Sequence, residues 1–348
     1  MILRTFGWSF LFTAAGLVAG LAYGGANGLV LVAILIVLEI TLSFDNAVVN
    51  AKVLERMSPF WQRMFLTVGV LIAVFGMRLV FPLLVVGLTA HIGPIHAVQL
   101  ALEKGDLHQE GSYAYLLHHA HPLVASFGGM FLLLLFLNFV FDPGRELHWL
   151  HWLERPLARA GVLTTLPIVV ALGALALSAQ FLAEDRREDV LFAGVLGVVT
   201  YLTVDGLGRL FESAEQATGP AGLTKATGRA GFFLFVYVNL LDASFSFDGV
   251  LGAFAITQDP VVIMLGLGVG ALYIRSLTVY LVRQGTLGRY VYLEHGAMWA
   301  IGALAVVLLV SIKHATPEVI TGSIGLAFIA WAFASSLAHN RRSSVPAL

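Results

Sequence analysis

The sequence predicts an all-α polytopic membrane protein of about ten transmembrane helices, and three observations carry that fold class. Of 348 residues, 58% are hydrophobic and only 12% are charged, with a mean hydropathy of +0.87; soluble chains are about half apolar and a quarter charged. The apolar residues form continuous runs of about twenty rather than alternating segments of about ten, which selects helices over a barrel. Inside those runs a polar motif occurs twice. Glu39-Ile-Thr-Leu-Ser43-Phe44-Asp45-Asn46 and Asp242-Ala-Ser-Phe-Ser246-Phe247-Asp248-Gly249 align without a gap at an offset of 203 residues.

Taken in order, the spans are expected at about 6–23, 28–50, 64–90, 122–141, 162–182, 190–211, 231–257, 261–283, 297–314 and 318–337. All belong to a single transmembrane domain, 1–348. The first follows Arg4 and is read as a retained helix, being longer than a signal core. Residues 91–121 read as a long outer loop holding His91, His96, His108, His118, His119 and His121, together with Glu103, Asp106 and Glu110. Its histidine spacing matches no compact metal site, so an ordinary polar loop stands beside a metal-collecting one. Residues 145–159 are expected to lie as an amphipathic helix on the membrane surface, Trp149 and Trp152 at headgroup depth and Arg145, Arg155 and Arg159 toward anionic lipid. Residues 212–230 connect the two halves, and Asp205 near the end of the sixth span is expected to begin a helix break, with a proton-path role as the alternative.

With the N-terminus inside, the inner segments hold fourteen lysines and arginines and the outer ones four, with Arg78 and Arg275 left within the membrane. The positive-inside rule thus places both termini in the cytoplasm of a multi-pass plasma (bacterial inner) membrane protein. Span two then runs inward and span seven outward, so the two motifs are antiparallel. Inverted repeats of this kind, here 28–142 and 231–314 joined by 143–230, put a substrate site near the midplane. The absence of cysteine removes disulfides and thiolate ligands. Nothing in the sequence points to nucleic acid; the expected surroundings are lipid.

An ionisable residue at the bilayer centre costs about 2.5–3.5 kcal/mol on insertion scales, so Glu39, Asp45, Asp242 and Asp248 are expected to face a cavity. Pairing with Arg78 and Arg275 alone would serve only two of the four. Glu39 and Ser43 share a helix face, but Asp45 is turned by about 240° from Glu39 in a regular helix. A break near Ser43–Asn46, eased by Asn46 and at the matching place by Gly249, would bring the acids to one cavity. Regular helices would instead give two levels, Glu39 with Asp248 and Asp45 with Asp242. Carboxylates with Ser43, Ser246 and Asn46 form a hard oxygen set suited to Mn²⁺, Mg²⁺ or Ca²⁺. Four acids against two arginines leave a charge near −2, equal to one divalent cation or two protons. Arg78 and Arg275 are expected as counter-ions that hold the empty site closed.

At Glu39…Ser43-Phe-Asp-Asn-Ala47, Asp242…Ser246-Phe-Asp-Gly-Val250, the arginine in the helix after each, and Leu293-Glu-His-Gly296, the sequence resembles the TerC family of the LysE-type transporter superfamily. The resemblance covers about residues 28–314. It implies an inverted three-plus-three helix repeat core and export of Mn²⁺, in some members Ca²⁺, from the cytosol; an older label concerns tellurite resistance. It also implies Asp45 and Asp248 as leading metal ligands, with Glu39, Asn46 and Asp242 next. The loop at 91–121 and the fifth and sixth spans depart from the compact family core. The expected function is therefore a secondary-active exporter of divalent metal, Mn²⁺ favoured, with protons as counter-substrate and no cofactor beyond the transported ion. A Ca²⁺/proton exchanger of the same fold and a non-transporting subunit of a metal- or tellurite-stress complex are the alternatives. An intramembrane aspartyl protease is disfavoured, because the nearest Gly-Leu-Gly-Asp string is Gly206-Leu-Gly-Arg209; the chain is expected not to be an enzyme.

Overall fold

The computed structural model describes residues 2–103, 105–180, 184–218, 225–257, 259–285, 289–313 and 318–343. Among them the secondary structure is helical, apart from one bridging pair, Met57 with Ala226. The helices are α1 Ile2–Leu42, α2 Phe44–Arg56, α3 Pro59–Leu71, a π-helical stretch Ile72–Val80, α4 Phe81–Thr89, α5 Pro94–Glu103 and α6 Tyr113–Val140. After them come α7 His151–Ala160, α8 Leu166–Gln180, α9 Glu184–Thr218, α10 Gly228–Ile256 and α11 Pro260–Arg283, then α12 Leu293–Ser311 and α13 Glu318–Ser343. Six helical segments among the described residues are long and apolar enough to cross a membrane: Phe6–Leu42, Pro59–Thr89, Tyr113–Val140, Arg186–Leu207, Pro260–Arg283 and Leu293–Ser311. Large apolar side chains stand exposed along them and their neighbours, among them Val37, Leu71, Leu88, Phe192 and Trp331. A water-facing surface would not carry so much hydrocarbon, and a lipid-facing one requires it.

The first two expected spans are the two arms of α1. Gly25 takes φ 62°, ψ −151°, a conformation open to glycine and strained for other residues. The chain folds back there so tightly that a Cβ on Gly28 would lie 2.3 Å from Gly20 O; eight residues of straight helix would hold these glycines about 12 Å apart. Both arms pack along α11. The first runs antiparallel to it, with Ser9 Oγ 2.8 Å from Ser276 Oγ and Thr13 Oγ1 donating to Tyr273. The second runs parallel, Leu35 against Gly266 and Glu39 against Gly270.

Other elements depart from expectation for local reasons. The third span is continuous from Pro59 to Thr89, but its middle widens to a π-helix ending just before Phe81-Pro82. Pro82 has no N–H for the carbonyl four residues back, and the Arg78 guanidinium donates to Ala73 O at 2.5 Å. Residues 91–121 are not one loop: they contain α5 and the first turns of α6, so His118, His119 and His121 stand on a helix. The fifth span, expected from about 162, begins as α8 at Leu166 and is helical through Gln180; residues 181–183 lie outside the described residues. Asp205 begins no break; α9 continues through it, and its carboxylate meets Arg209 Nε at 2.8 Å.

The surface helix expected at 145–159 is partly overturned. Helix α7 forms and Trp152 is exposed, but Trp149 is buried against Trp331, with ring centroids 4.8 Å apart. Arg145 turns inward to Glu154, which has no exposed surface. Glu154 accepts from Trp149 N and Trp299 Nε1 and lies 3.7 Å from His295 Nε2, which bonds Leu147 O. Burial lowers the Arg145 pKa from its usual value, and Glu154 opposes that shift. This cluster ties α7 to the start of α12. Neighbouring contacts gather the other basic segments at the same end: Ala226 N donates to Arg56 O, Lys52 meets Glu294 at 2.9 Å, and Asn340 donates to Arg289 O.

The reversal at Gly25 is testable. Replacing Gly28 by valine drives a side chain into the Gly20 carbonyl, and overpacking of this kind costs about 1–3 kcal/mol. Thermal unfolding in detergent is expected at lower temperature for Gly28→Val, whereas Gly7→Ala, with nothing within 4 Å of its Cβ, leaves the transition in place.

Candidate ion-binding chamber

The second arm of α1 ends where the motif begins. Ser43 interrupts the helix with φ −102°, ψ 14°, and α2 starts at Phe44. Ser43 N still reaches Glu39 O at 3.0 Å, so the break is a slight turn and not an unwinding. The matching stretch in α10 is not broken: the helix runs unbroken through Ser246 and Gly249. The symmetric break expected from the sequence is therefore present in one copy only. Glycine at 249 is explained by its neighbour instead, because a Cβ there would come within 3.3 Å of Glu39 Oε2.

Two buried ion pairs organise the region. Glu39 pairs with Arg78 Nη2 and accepts from Ser43 Oγ at 3.0 Å. Asp242 pairs with Arg275 Nη2 at 2.5 Å and accepts from Asn50 Nδ2 at 2.6 Å. Each arginine also donates to the helix that carries the other. Arg78 Nε reaches Leu267 O on α11, and Arg275 Nη1 reaches Phe65 O on α3, both at 3.0 Å. The Arg275 guanidinium stacks over the Phe65 ring, 3.9 Å from its centroid. The arginines are thus ion-paired with the first acid of each motif.

Both pairs border one cavity. Glu39, Ser43, Asn46, Arg78, Asp242, Ser246 and Arg275 line a space of about 20 Å³, closed by Ala73, Ala271 and Ile274. That is room for one water or one bare ion. Glu39 lies level with Gly249 and Asp242 level with Asn50, so the acids stand at two heights on a shared chamber. Two oxygens near it, Ser246 Oγ and Asn50 Oδ1, are buried without a hydrogen-bond partner among the described residues. Uncommitted buried oxygens are costly unless something polar meets them. Asp45 stands in α2 and Asp248 in α10; their side chains lie outside the described residues. Among the described residues no group of three or more His, Cys, Asp or Glu is placed to hold a metal. In the 91–121 segment His108 is engaged by Asp106 at 3.0 Å.

Sequence reasoning missed two glycines and an amide. A Cβ on Gly270 would meet the Glu39 side chain at 2.5 Å, and one on Gly69 would meet Arg275 Nη1 at 2.6 Å. These glycines leave the space that the charged side chains fill. The run Gly266-Leu-Gly268-Val-Gly270 is a small-residue seam of the kind that lets helices approach in lipid. Asn50 belongs to the motif stretch but lies outside the expected ligand set, because its partner Asp242 is 192 residues away.

Removing one member of a buried pair strands the other charge, at about 3–5 kcal/mol. Glu39→Gln and Arg78→Gln are each expected to lower unfolding stability in detergent by that order. The double variant should lose less than the sum, and strictly additive losses would show that the two groups are not coupled.

A family model described as a protein of unknown function, DUF475, matches residues 44–343. No curated protein matches the chain, and neither does any solved structure. The match takes in α2 with Asp45 and everything through α13, so the chain belongs to the DUF475 family.

Proposed function

We propose that the protein is a secondary-active exporter of divalent metal cations, with Mn²⁺ as the favoured cargo and protons as counter-substrate. The observation that carries this reading is the ion-sized chamber between Glu39–Arg78 and Asp242–Arg275, with a Ser246 hydroxyl on its wall that has no hydrogen-bond partner among the described residues. Oxygen ligands without sulfur favour a hard cation. Arg78 and Arg275 are engaged by Glu39 and Asp242, so the formal charge left for cargo is that of Asp45 and Asp248. Two negative charges match one divalent ion or two protons, which makes exchange of one for the other electrostatically balanced. The resemblance to the TerC family selects Mn²⁺ and names Asp45 and Asp248 as ligands, with Glu39, Asp242, Asn46, Ser43 and Ser246 around them.

On this reading the core is an inverted repeat. Its support is the 203-residue offset of the motifs and the reciprocal contacts of the two arginines. Alternating access then rocks one repeat against the other about the chamber, and the break at Ser43 without one at Ser246 is the asymmetry that a one-sided state requires. The basic end, which gathers Lys52, Arg56 and Arg289, is cytoplasmic by the positive-inside rule.

Purified protein in liposomes is expected to carry Mn²⁺ down an imposed gradient, faster when a proton gradient opposes it. Asp45→Asn and Asp248→Asn should each reduce flux to near background while helical content stays intact. Wild-type flux in both variants would defeat the site assignment. Flux indifferent to the pH gradient would remove proton coupling and leave the metal reading standing.

A further inference from the structure

Arg275 also borders a second, larger cavity. The first arm of α1 (Trp8, Phe12), α3 (Leu66, Val70) and α11 (Leu272, Ser276) enclose about 390 Å³ there. A neighbouring space of about 190 Å³ shares Leu66, Val279 and Arg283 with it and adds Arg63. Together they form a groove of small-ligand size, running along α11 from its basic end to the level of Leu272.

Three properties define what fits. The walls are mostly hydrocarbon, and Trp8 and Phe12 are 71% and 47% exposed on the bilayer side, so the groove opens laterally to lipid. The mouth carries Arg63 and Arg283, both exposed, and neither has an ion pair among the described residues. Deep inside, Arg275 is 3% exposed and its Nε has no hydrogen-bond acceptor among the described residues. Among the described residues no carboxylate lines either space. Arg275 is neutralised by Asp242, but Arg63 and Arg283 at the mouth have no such partner among the described residues and repel a cation, so this groove is not a route for the proposed cargo. A purely hydrocarbon occupant would leave Arg63 and Arg283 without a counter-charge.

We propose that the groove is a binding site for one anionic phospholipid from the leaflet at the basic end. Its phosphate sits between Arg63 and Arg283, its acyl chain lies along Leu66, Leu272 and Phe12, and its ester oxygens supply acceptors to the interior. The lipid thereby bridges the first arm of α1 to α3 and α11, beside the arginine that holds Asp242.

Native mass spectrometry of the protein released from micelles doped with equal amounts of dioleoyl phosphatidylglycerol and dioleoyl phosphatidylcholine tests this. The wild type is expected to retain one phosphatidylglycerol in preference to phosphatidylcholine by roughly tenfold or more, from two basic contacts. Arg63→Gln/Arg283→Gln should bring the two lipids to parity, Arg63→Lys/Arg283→Lys should restore the preference, and Ser276→Trp should lower retention by filling the groove with both arginines in place. Circular dichroism checks the fold; if the double glutamine variant loses helix, Arg283→Gln alone is read the same way. Equal retention of both lipids by the wild type, or a preference unchanged in the glutamine variant, would overturn the proposal. Displacement of phosphatidylglycerol by millimolar sodium phosphate would also overturn it, by assigning the mouth to a free anion. The readout is lipid retention and not ion flux, so it stands or falls apart from the transport reading.

Discussion

Two carboxylate–guanidinium pairs, Glu39 with Arg78 and Asp242 with Arg275, set the terms for the rest of the bundle. A charge in so dry a setting survives only if its partner is held in good geometry and the remaining donors are served. The chain meets both conditions with segments far apart in sequence. Arg78 crosses to Leu267 O and Arg275 to Phe65 O, so each guanidinium is anchored in the opposite half. Moving α1, α3, α10 or α11 away from the others leaves a buried ion alone. The glycines at 69 and 270 follow from this constraint, since any larger residue would occupy the volume of the charged side chains.

A second polar knot holds the basic end. Glu154 has no exposed surface, yet it collects Arg145 and Trp149 N from the stretch before α7 and Trp299 and His295 from α12. Beside it Lys52 meets Glu294, which ties α2 to the residue next to His295. The end of α2, whose start carries Asp45, is thus connected through α12 to the surface helix α7. A shift of α2 would be felt at the membrane surface through contacts that are polar and directional, whereas the apolar belt around the bundle offers only nondirectional packing.

Much of the fold is legible in the sequence because the bilayer simplifies the problem. Hydropathy marks the spans, and the turn at Gly25 falls in the gap between two of them. The motif repeat is legible because four ionisable groups in apolar runs demand an explanation. Other features were hidden for physical reasons. Periodicity in 145–159 reads charged residues as outward-facing, but Glu154 is buried by partners more than 140 residues away, Trp299 and His295. A helix break was expected at both motifs from local residue types; α10 stays regular, and Gly249 answers to the bulk of Glu39 from another helix. What the sequence could not expose in each case was a long-range neighbour.

Electrostatics say what a cation in the chamber would require beyond the two paired acids that line it. A divalent ion about 4 Å from a guanidinium is repelled by on the order of 8 kcal/mol at an effective dielectric of about 20. Glu39 and Asp242 each cancel one arginine, which leaves the pairs near neutral toward a cation but not attractive. On the transport reading proposed above, net attraction comes from the further carboxylates of the same two motifs, Asp45 and Asp248. With only the paired acids, the chamber would be a structural clasp suited to a water. With all four, as that reading has it, the charge changes by two while both clasps stay closed, and such a separation is what would let a buried site release an ion without unfolding the bundle around it.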